Sequence, residues 1–166
     1  LQALREMTRA RGIALILDEI QCGYGRTGTF LAHEQMGIEP DLLTVAKPMA
    51  GGLPMGAILA TKEIADTMQP GDHGTTFGGG PFVSHVALHV FERLSDPTLL
   101  AHVKSNGAWM KKTLQKLVDK SPKVRASRGI GYMWGIDVVD PAKDIVARCL
   151  GAGLLICSTG EHTLRL

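Results

Sequence analysis

The feature that most constrains the fold of this chain is a pair of short apolar runs, each of which ends in a charged side chain. The run 13–17 is followed by Asp18, and the run 42–46 is followed by Lys47. Apolar runs of this length, bounded by turn-forming residues, are typical of buried strands. Ligands of open α/β sheets bind beyond the carboxyl ends of such strands. The pattern therefore predicts that Asp18 and Lys47 face one crevice.

The segment between the two runs is long enough for a crossover connection between parallel strands, which needs about a dozen residues or more. A short helix is predicted from about Leu31 to Met36, before the breakers Gly37 and Pro40. We therefore expect the two strands to be parallel, with their charged ends at the same edge of a sheet.

An acid and a lysine at such an edge are suited to carbonyl chemistry. A lysine at a desolvated strand end loses part of its preference for the charged form, and a neutral amine condenses with an aldehyde to form a Schiff base. Pyridoxal phosphate requires such a lysine and a carboxylate that keeps its ring nitrogen protonated. The spacing of Asp18 and Lys47 is compatible with this cofactor but does not identify it.

Several short motifs follow one another in order along nearly the whole chain. They are Leu17–Gln21 with Gly25–Gly28, Pro40–Asp41, Ala46–Pro48 with Gly51–Ala57, and His73–Gly79. Together they resemble the class III pyridoxal-phosphate aminotransferases. The resemblance implies an α/β chain of the fold-type I transferases, with residues 1–95 in the cofactor-binding large domain. Residues 96–166 would form a connecting helix and part of the C-terminal small domain.

The activity that the resemblance implies is transfer of the terminal amino group of N-acetylornithine to 2-oxoglutarate. Ornithine, 4-aminobutyrate or another ω-amino donor is the first alternative. A non-catalytic segment that folds or forms dimers without turnover is the alternative from a different functional class.

The resemblance also implies roles for individual residues near the two strand ends. Lys47 would bind pyridoxal phosphate covalently and then move a proton as the catalytic base and acid. Asp18 would hold the ring nitrogen, and Gln21 would contact the phenolic oxygen.

Two further positions of the cofactor and substrate site follow from the same resemblance. Thr76, with Thr75 beside it, would reach the cofactor phosphate from a neighbouring subunit, which implies a homodimer with shared sites. Arg165 would clamp the substrate carboxylate, because a guanidinium fork matches a carboxylate in bidentate geometry.

The chain departs from the family pattern in two ways. Gly80 stands before Pro81, where the family often has asparagine. The glycine-rich phosphate turn and the aromatic ring that stacks on the cofactor are expected before Leu1, and the chain stops at Leu166 inside an apolar-patterned segment. We therefore interpret the sequence as a piece of a longer chain.

Composition narrows the class of partner. The net charge is +2, from 18 basic and 16 acidic residues that are interspersed, so neither nucleic acid nor an acidic membrane is an expected partner. Three cysteines with no paired spacing favour reduced thiols and a cytoplasmic location. An organelle matrix remains an alternative, because a targeting segment could precede Leu1.

Two other interpretations of single motifs are weaker. An acidic strand end like Asp18–Glu19 also occurs in nucleotide hydrolases, but the sequence has no GxxxxGK[ST] loop. His85 and His89 have the spacing of zinc ligands on a helix, but Val86 occupies the position of the glutamate in HExxH. Surface or subunit packing is the favoured role for these two histidines.

We expect these 166 residues alone not to catalyse transamination. Phosphate donors and the stacking ring provide much of the cofactor affinity of such sites, and both are expected upstream of Leu1. The test mixes the purified chain with pyridoxal phosphate, N-acetylornithine and 2-oxoglutarate and measures glutamate. Multiple turnovers at an ordinary enzymatic rate would show that the chain is self-sufficient.

Overall fold

A computed structural model describes all residues from Leu1 to Leu166 and divides into two compact units, Leu1–Leu100 and Ala101–Leu166. The assignment of residues 1–95 to a cofactor-binding domain and of 96–166 to a small domain stays a prediction. None of the helices combines the length and the apolar character needed to cross a membrane.

The first unit contains a small mixed sheet and several short helices. Its elements are α1 (Gln2–Ala10), β1 (Ile16–Asp18), a 3-10 helix (Ala32–Met36), β2 (Leu42–Val45), a second 3-10 helix (Lys47–Ala50), β3 (Ala57–Ala60), α2 (Lys62–Ala65) and α3 (Pro81–Leu94). The strand order is β1-β2-β3. β1 pairs with β2 in parallel and β3 pairs with β2 in antiparallel. The predicted parallel crossover is therefore confirmed, with a 3-10 helix between β1 and β2.

β1 is shorter than the predicted apolar run, because a side-chain carboxylate takes the place of a backbone carbonyl as the hydrogen-bond partner where the strand would begin. The Leu15 N–H donates to Oδ2 of Asp41 at 2.7 Å, and the Leu15 carbonyl accepts from the N–H groups of Asp41 and Leu42. Regular pairing then begins at Ile16 opposite Leu42. Asp41 thus determines where the two strands meet.

The same aspartate ties the first helix to the sheet. Arg5, on α1, donates to both oxygens of Asp41, at 2.5 and 2.8 Å. Both side chains are mostly shielded from solvent, at 12% and 20% exposure. The Arg5 guanidinium and the Leu15 N–H lower the pKa of Asp41 from 3.8 to about 2.

The second unit is an antiparallel sheet packed against helices. Its elements are α4 (Pro97–Lys120, which begins at the end of the first unit), β4 (Val124–Ile130), β5 (Met133–Val138), α5 (Ala142–Gly151), β6 (Cys157–Thr159) and β7 (Thr163–Arg165). The strand order is β4-β5-β7-β6. Every second residue of β5 is buried, and these residues form a core with one residue each from α4, α5 and β7: Leu114, Trp134, Ile136, Val138, Ala142 and Leu164.

The beginning of α4 and one of its contacts follow from local chemistry. Oδ1 of Asp96 accepts from the N–H groups of Thr98 and Leu99, so Asp96 caps the helix as its sequence context predicts. Farther along, a Cβ on Gly107 would lie 2.8 Å from the Cα of Gly131 in the β4–β5 turn. A side chain at Gly107 would force the helix and the turn apart.

The apolar residues of the segment Leu154–Cys157 predict a strand there, but that prediction is wrong, since β6 covers Cys157–Thr159. The Leu154 N–H donates to the carbonyl of Cys149 and so completes the end of α5, and Leu155 is 83% exposed. The apolar residues of this segment therefore belong to the end of a helix and to the connection that follows it. The sequence of residues 62–68 also predicts a short helix, and α2 occupies only its first part, Lys62–Ala65.

We predict that Asp41→Asn lowers the free energy of unfolding by about 1–3 kcal/mol at pH 7, because Arg5 loses a charged partner. The folded-state pKa of Asp41 is below its ordinary value, so this contribution is present above about pH 4 and is lost as the pH falls towards 2. Urea unfolding at pH 7 and at pH 3 measures both effects.

Asp66→Asn is the matched control, since Asp66 pairs with Lys62 at the surface, where the side chains are 61% and 85% exposed. Exposed pairs contribute about 0–1 kcal/mol. Equal losses in the two variants, or a loss in Asp41→Asn that does not change with pH, would contradict the prediction.

Candidate functional site

The ends of β1 and β2 bring an acid and a lysine to one edge of the first sheet. Asp18 is the last residue of β1 and lies opposite Thr44 of β2. β2 ends at Val45, and Lys47 begins the 3-10 helix that follows. Because the strands are parallel, the two residues lie at the same edge.

The carboxylate of Asp18 is held through one of its two oxygens. Oδ1 accepts from the Ile20 N–H at 2.9 Å and from the Thr44 hydroxyl at 3.1 Å. No group of the chain donates to Oδ2, and Asp18 as a whole is exposed. The side chain is therefore oriented by the protein but still able to accept from a ligand.

Lys47 has an unusual backbone conformation. Its φ is +52°, in the left-handed region, and the preceding Ala46 is also irregular, at φ −163° and ψ −143°. Non-glycine residues in this region are strained by about 1–3 kcal/mol and cluster at functional sites. The bend at Ala46 and Lys47 directs the chain out of the sheet immediately after the buried Val45.

The strand before Lys47 is buried, with Leu43 and Val45 each 4% exposed, whereas Lys47 itself is exposed in this chain. Its desolvation in the complete site stays a prediction. The sequence pattern identifies the buried strand correctly. It does not reveal that the chain turns away from the sheet before the lysine.

Glu19, next to Asp18, has a different task. It is 3% exposed, and its Oε1 accepts from the His33 N–H at 2.8 Å and lies 2.7 Å from Nδ1 of the same residue. Its Oε2 accepts from the Ala32 N–H at 2.5 Å. Glu19 therefore holds the beginning of the 3-10 helix 32–36, whose free N–H groups favour a negative charge.

The loop between Glu19 and this helix carries Gln21 and is closely packed. Gln21 is half-buried, and its amide makes no hydrogen bond within the chain. The Gly23 N–H donates to the Glu19 carbonyl, and a Cβ on Gly23 would lie 2.9 Å from that oxygen. Phe30 packs between the rings of Tyr24 and Phe91, with both centroid distances 5.0 Å. The glycine and the aromatic contacts give the loop a fixed path.

Thr75 and Thr76 lie in an exposed turn before α3. The Thr75 hydroxyl accepts from the Gly78 N–H at 3.1 Å, and a Cβ on Gly78 would collide with the Thr75 side chain, at 2.5 Å. Thr76 is exposed and makes no hydrogen bond within the chain. Farther along, His85 and His89 are both exposed on α3.

Arg165 belongs to the second unit, at the end of β7. It pairs in register with Gly135 on one side and with Cys157 on the other, and it is exposed. Two residues before it, the Thr163 hydroxyl donates to Asp137 at 2.7 Å. Arg128 also donates to Asp137, and these two hydrogen bonds, that of Arg128 first, lower the pKa of this carboxyl group.

The two residues that hold this region in place, Thr44 and Glu19, are not among the site residues predicted from the sequence. Strand register could have identified Thr44, since it lies three residues before Lys47 and opposite the end of β1. The alternation of side chains in a strand could have identified Glu19, because it directs neighbouring residues to opposite faces. Neither residue stands out by type alone.

A family model, aminotransferase class-III, matches residues 1–166. The mitochondrial acetylornithine aminotransferase of Alnus glutinosa is 44% identical over 97% of this chain and 36% of its own length. The structure of ornithine delta-aminotransferase from Plasmodium falciparum has a TM-score of 0.94 at 28% identity, over 100% of this chain and 44% of its own. N-acetylornithine aminotransferase from Stenotrophomonas maltophilia has a TM-score of 0.87 at 31% identity, over 99% and 44%. This chain thus spans less than half of each of these proteins.

We predict that Glu19→Gln loosens the segment that begins at Ala32. An amide presents only one acceptor oxygen, so one of the three donors around Glu19 loses its partner, which costs about 1–3 kcal/mol for a buried group. Hydrogen exchange should become faster at the Ala32 and His33 amides. Glu34→Gln makes the same change at an exposed side chain of the same helix and should leave both amides protected. Unchanged exchange in Glu19→Gln would contradict the role assigned to Glu19.

Proposed function

Because this chain belongs to the class III aminotransferase family, we propose that the protein transfers an amino group from a small amine donor to an oxo acid, with pyridoxal phosphate as its cofactor. The observation that carries the proposal is the parallel pairing of β1 with β2, which brings Asp18 and Lys47 to one edge of the sheet. These are the carboxylate and the amine that this cofactor requires.

The residues of the chain fit the cofactor. Oδ2 of Asp18 has no donor from the chain and is available to accept from a protonated ring nitrogen. Lys47 is accessible and follows a bend that separates it from the sheet. Gln21 has an amide that is not engaged elsewhere. The site thus offers an acid, an amine and an amide without rearrangement of the buried strands.

The proposed donor is N-acetylornithine and the proposed acceptor is 2-oxoglutarate. The relative from Alnus glutinosa and the structure from Stenotrophomonas maltophilia, both named for acetylornithine, support this choice. Ornithine is the second candidate, because the ornithine delta-aminotransferase of Plasmodium falciparum has the same fold over the whole chain.

When bound, pyridoxal phosphate supplies an electron sink that stabilises negative charge on the substrate carbon next to nitrogen. The amine of Lys47 would hold the cofactor covalently and, once free, would take and return the proton of that carbon as general base and acid. The carboxylate of Asp18 would keep the ring nitrogen protonated. The amide of Gln21 would donate to the phenolic oxygen.

Binding of phosphate and substrate is assigned to the exposed positions. Thr76, assisted by Thr75, is proposed to donate to the cofactor phosphate of a second subunit, and its exposure in the turn before α3 is compatible with such a contact. Arg165 is proposed to bind the substrate carboxylate in bidentate form. These assignments imply a homodimer with shared sites.

The proposed location is the cytoplasm. An organelle matrix is the alternative, since the relative from Alnus glutinosa is named as mitochondrial. A non-catalytic segment remains the competing functional class, and the Lys47 variant described next separates the two.

We predict that Lys47→Ala, made in the complete protein that contains this chain, lowers transamination by about a hundredfold or more, because no other group at this edge moves the proton. Glutamate formation from N-acetylornithine and 2-oxoglutarate measures the rate. Borohydride reduction followed by mass spectrometry should find the cofactor on the peptide with Lys47 in the wild type and on no peptide in the variant.

Lys62→Ala is the control, because it removes the same charge from an exposed pair with Asp66. It should keep the wild-type rate. Substantial activity in Lys47→Ala, or cofactor attached to another lysine, would overturn the assignment. Absence of cofactor and of turnover in the wild type would favour the non-catalytic alternative.

A further inference from the structure

The strand that carries the lysine also holds the acid. Thr44 is in register with Asp18 across the parallel pair, and its hydroxyl donates to Oδ1 of Asp18 at 3.1 Å. Thr44 lies three residues before Lys47 on the same strand and its extension. One short segment therefore contacts one charged group of the proposed site and carries the other.

The two donors to Asp18 converge on a single oxygen. The Ile20 N–H reaches Oδ1 at 2.9 Å from the chain that follows β1, and the Thr44 hydroxyl reaches it from the neighbouring strand. A carboxylate oxygen has about two lone-pair positions, so these two bonds fill Oδ1. Oδ2 remains as the acceptor for a ligand.

We propose that Thr44 is a positioning residue that fixes the rotation of the Asp18 carboxylate and so assigns Oδ2 to the ring nitrogen of the cofactor. The proposal rests on the function proposed above and identifies a residue that acts on the cofactor only through Asp18.

A single hydrogen bond would not be enough for this task. The terminal torsion of an aspartate is broad and roughly two-fold, so the carboxylate can turn about the bond to Ile20. A second donor from another strand, at a different angle, removes this freedom. Within this chain, the two hydrogen bonds to Oδ1 are the contacts that orient the exposed Asp18 carboxylate.

Thr44 has a second structural role that has to be separated from this one. Its backbone carbonyl accepts from the Glu19 N–H at 2.9 Å, which continues the ladder between the strands. Replacement by valine keeps that carbonyl, the β-branch and the strand preference. Thr44→Val thus removes the hydroxyl alone, and Thr44→Ser restores it.

The experiment uses the complete protein loaded with pyridoxal phosphate that carries ¹⁵N in its ring. The ¹⁵N chemical shift reports whether the ring nitrogen is protonated, and it does not depend on turnover. Asp18→Asn provides the reference ¹⁵N shift for a ring nitrogen that is not held protonated, because a neutral amide cannot stabilise the pyridinium. Thr67→Val is the control, since the Thr67 hydroxyl donates only to the carbonyl of Ile64.

We expect the Thr44→Val signal to move by about a quarter or more of the distance from wild type to Asp18→Asn, because the carboxylate is less well directed at the nitrogen. Thr44→Ser and Thr67→Val should keep the wild-type signal. If circular dichroism shows that Thr44→Val does not fold, Thr44→Ala takes its place in the comparison with Thr44→Ser.

The outcomes separate this proposal from the function on which it rests. A wild-type protein that binds no labelled cofactor would contradict the proposed function. A wild-type protein that binds it, with a Thr44→Val signal equal to that of wild type, would overturn the role of Thr44 and leave the function standing. A ¹⁵N signal that moves equally in Thr44→Val and Thr44→Ser would also overturn the role of Thr44.

Discussion

The parallel pairing of β1 with β2 is the interaction on which the rest of the proposed site depends. It begins at Asp41, whose carboxylate accepts from Arg5 of the first helix and from the Leu15 N–H at the start of β1. One side chain thus connects a helix and two strands. Three residues later along each strand the same register places Thr44 opposite Asp18. The paired strands therefore connect an ion pair at one end to the groups that meet at the other end.

The two neighbouring acids at the end of β1 show how one strand serves stability and chemistry together. Successive side chains of a strand point to opposite faces. Glu19 is buried and satisfied by donors from Ala32 and His33, so it shapes the loop. Asp18 is exposed and is held through one oxygen only. A buried carboxylate without donors would be strongly destabilising. Only the exposed acid can therefore keep an oxygen for a ligand.

Much of the fold could be predicted from the sequence, because periodicity and breakers are local. These local signals predict three elements of the structure: the helix capped by Asp96, the strand Met133–Val138 and the parallel crossover. The end of α5 was not predicted in this way, because the apolar residues from Leu154 predict a strand, whereas the Leu154 N–H donates to the carbonyl of Cys149 and completes the helix. An apolar residue in the sequence indicates that its side chain favours burial against another part of the chain. It does not indicate which helix or strand provides that contact.

The sequence by itself determined the family of this chain and the identity of the chemical groups at its proposed site, because motifs such as Leu17–Gln21 and Ala46–Pro48 depend on residue type and order. Only the tertiary structure decided how those groups are oriented. The bend that gives Lys47 a φ of +52° is a property of the folded chain. The choice of Oδ1 on Asp18 as the oxygen held by Thr44 follows from strand register. Register depends on contacts between residues far apart in the chain, whereas residue type and order are properties of the chain alone.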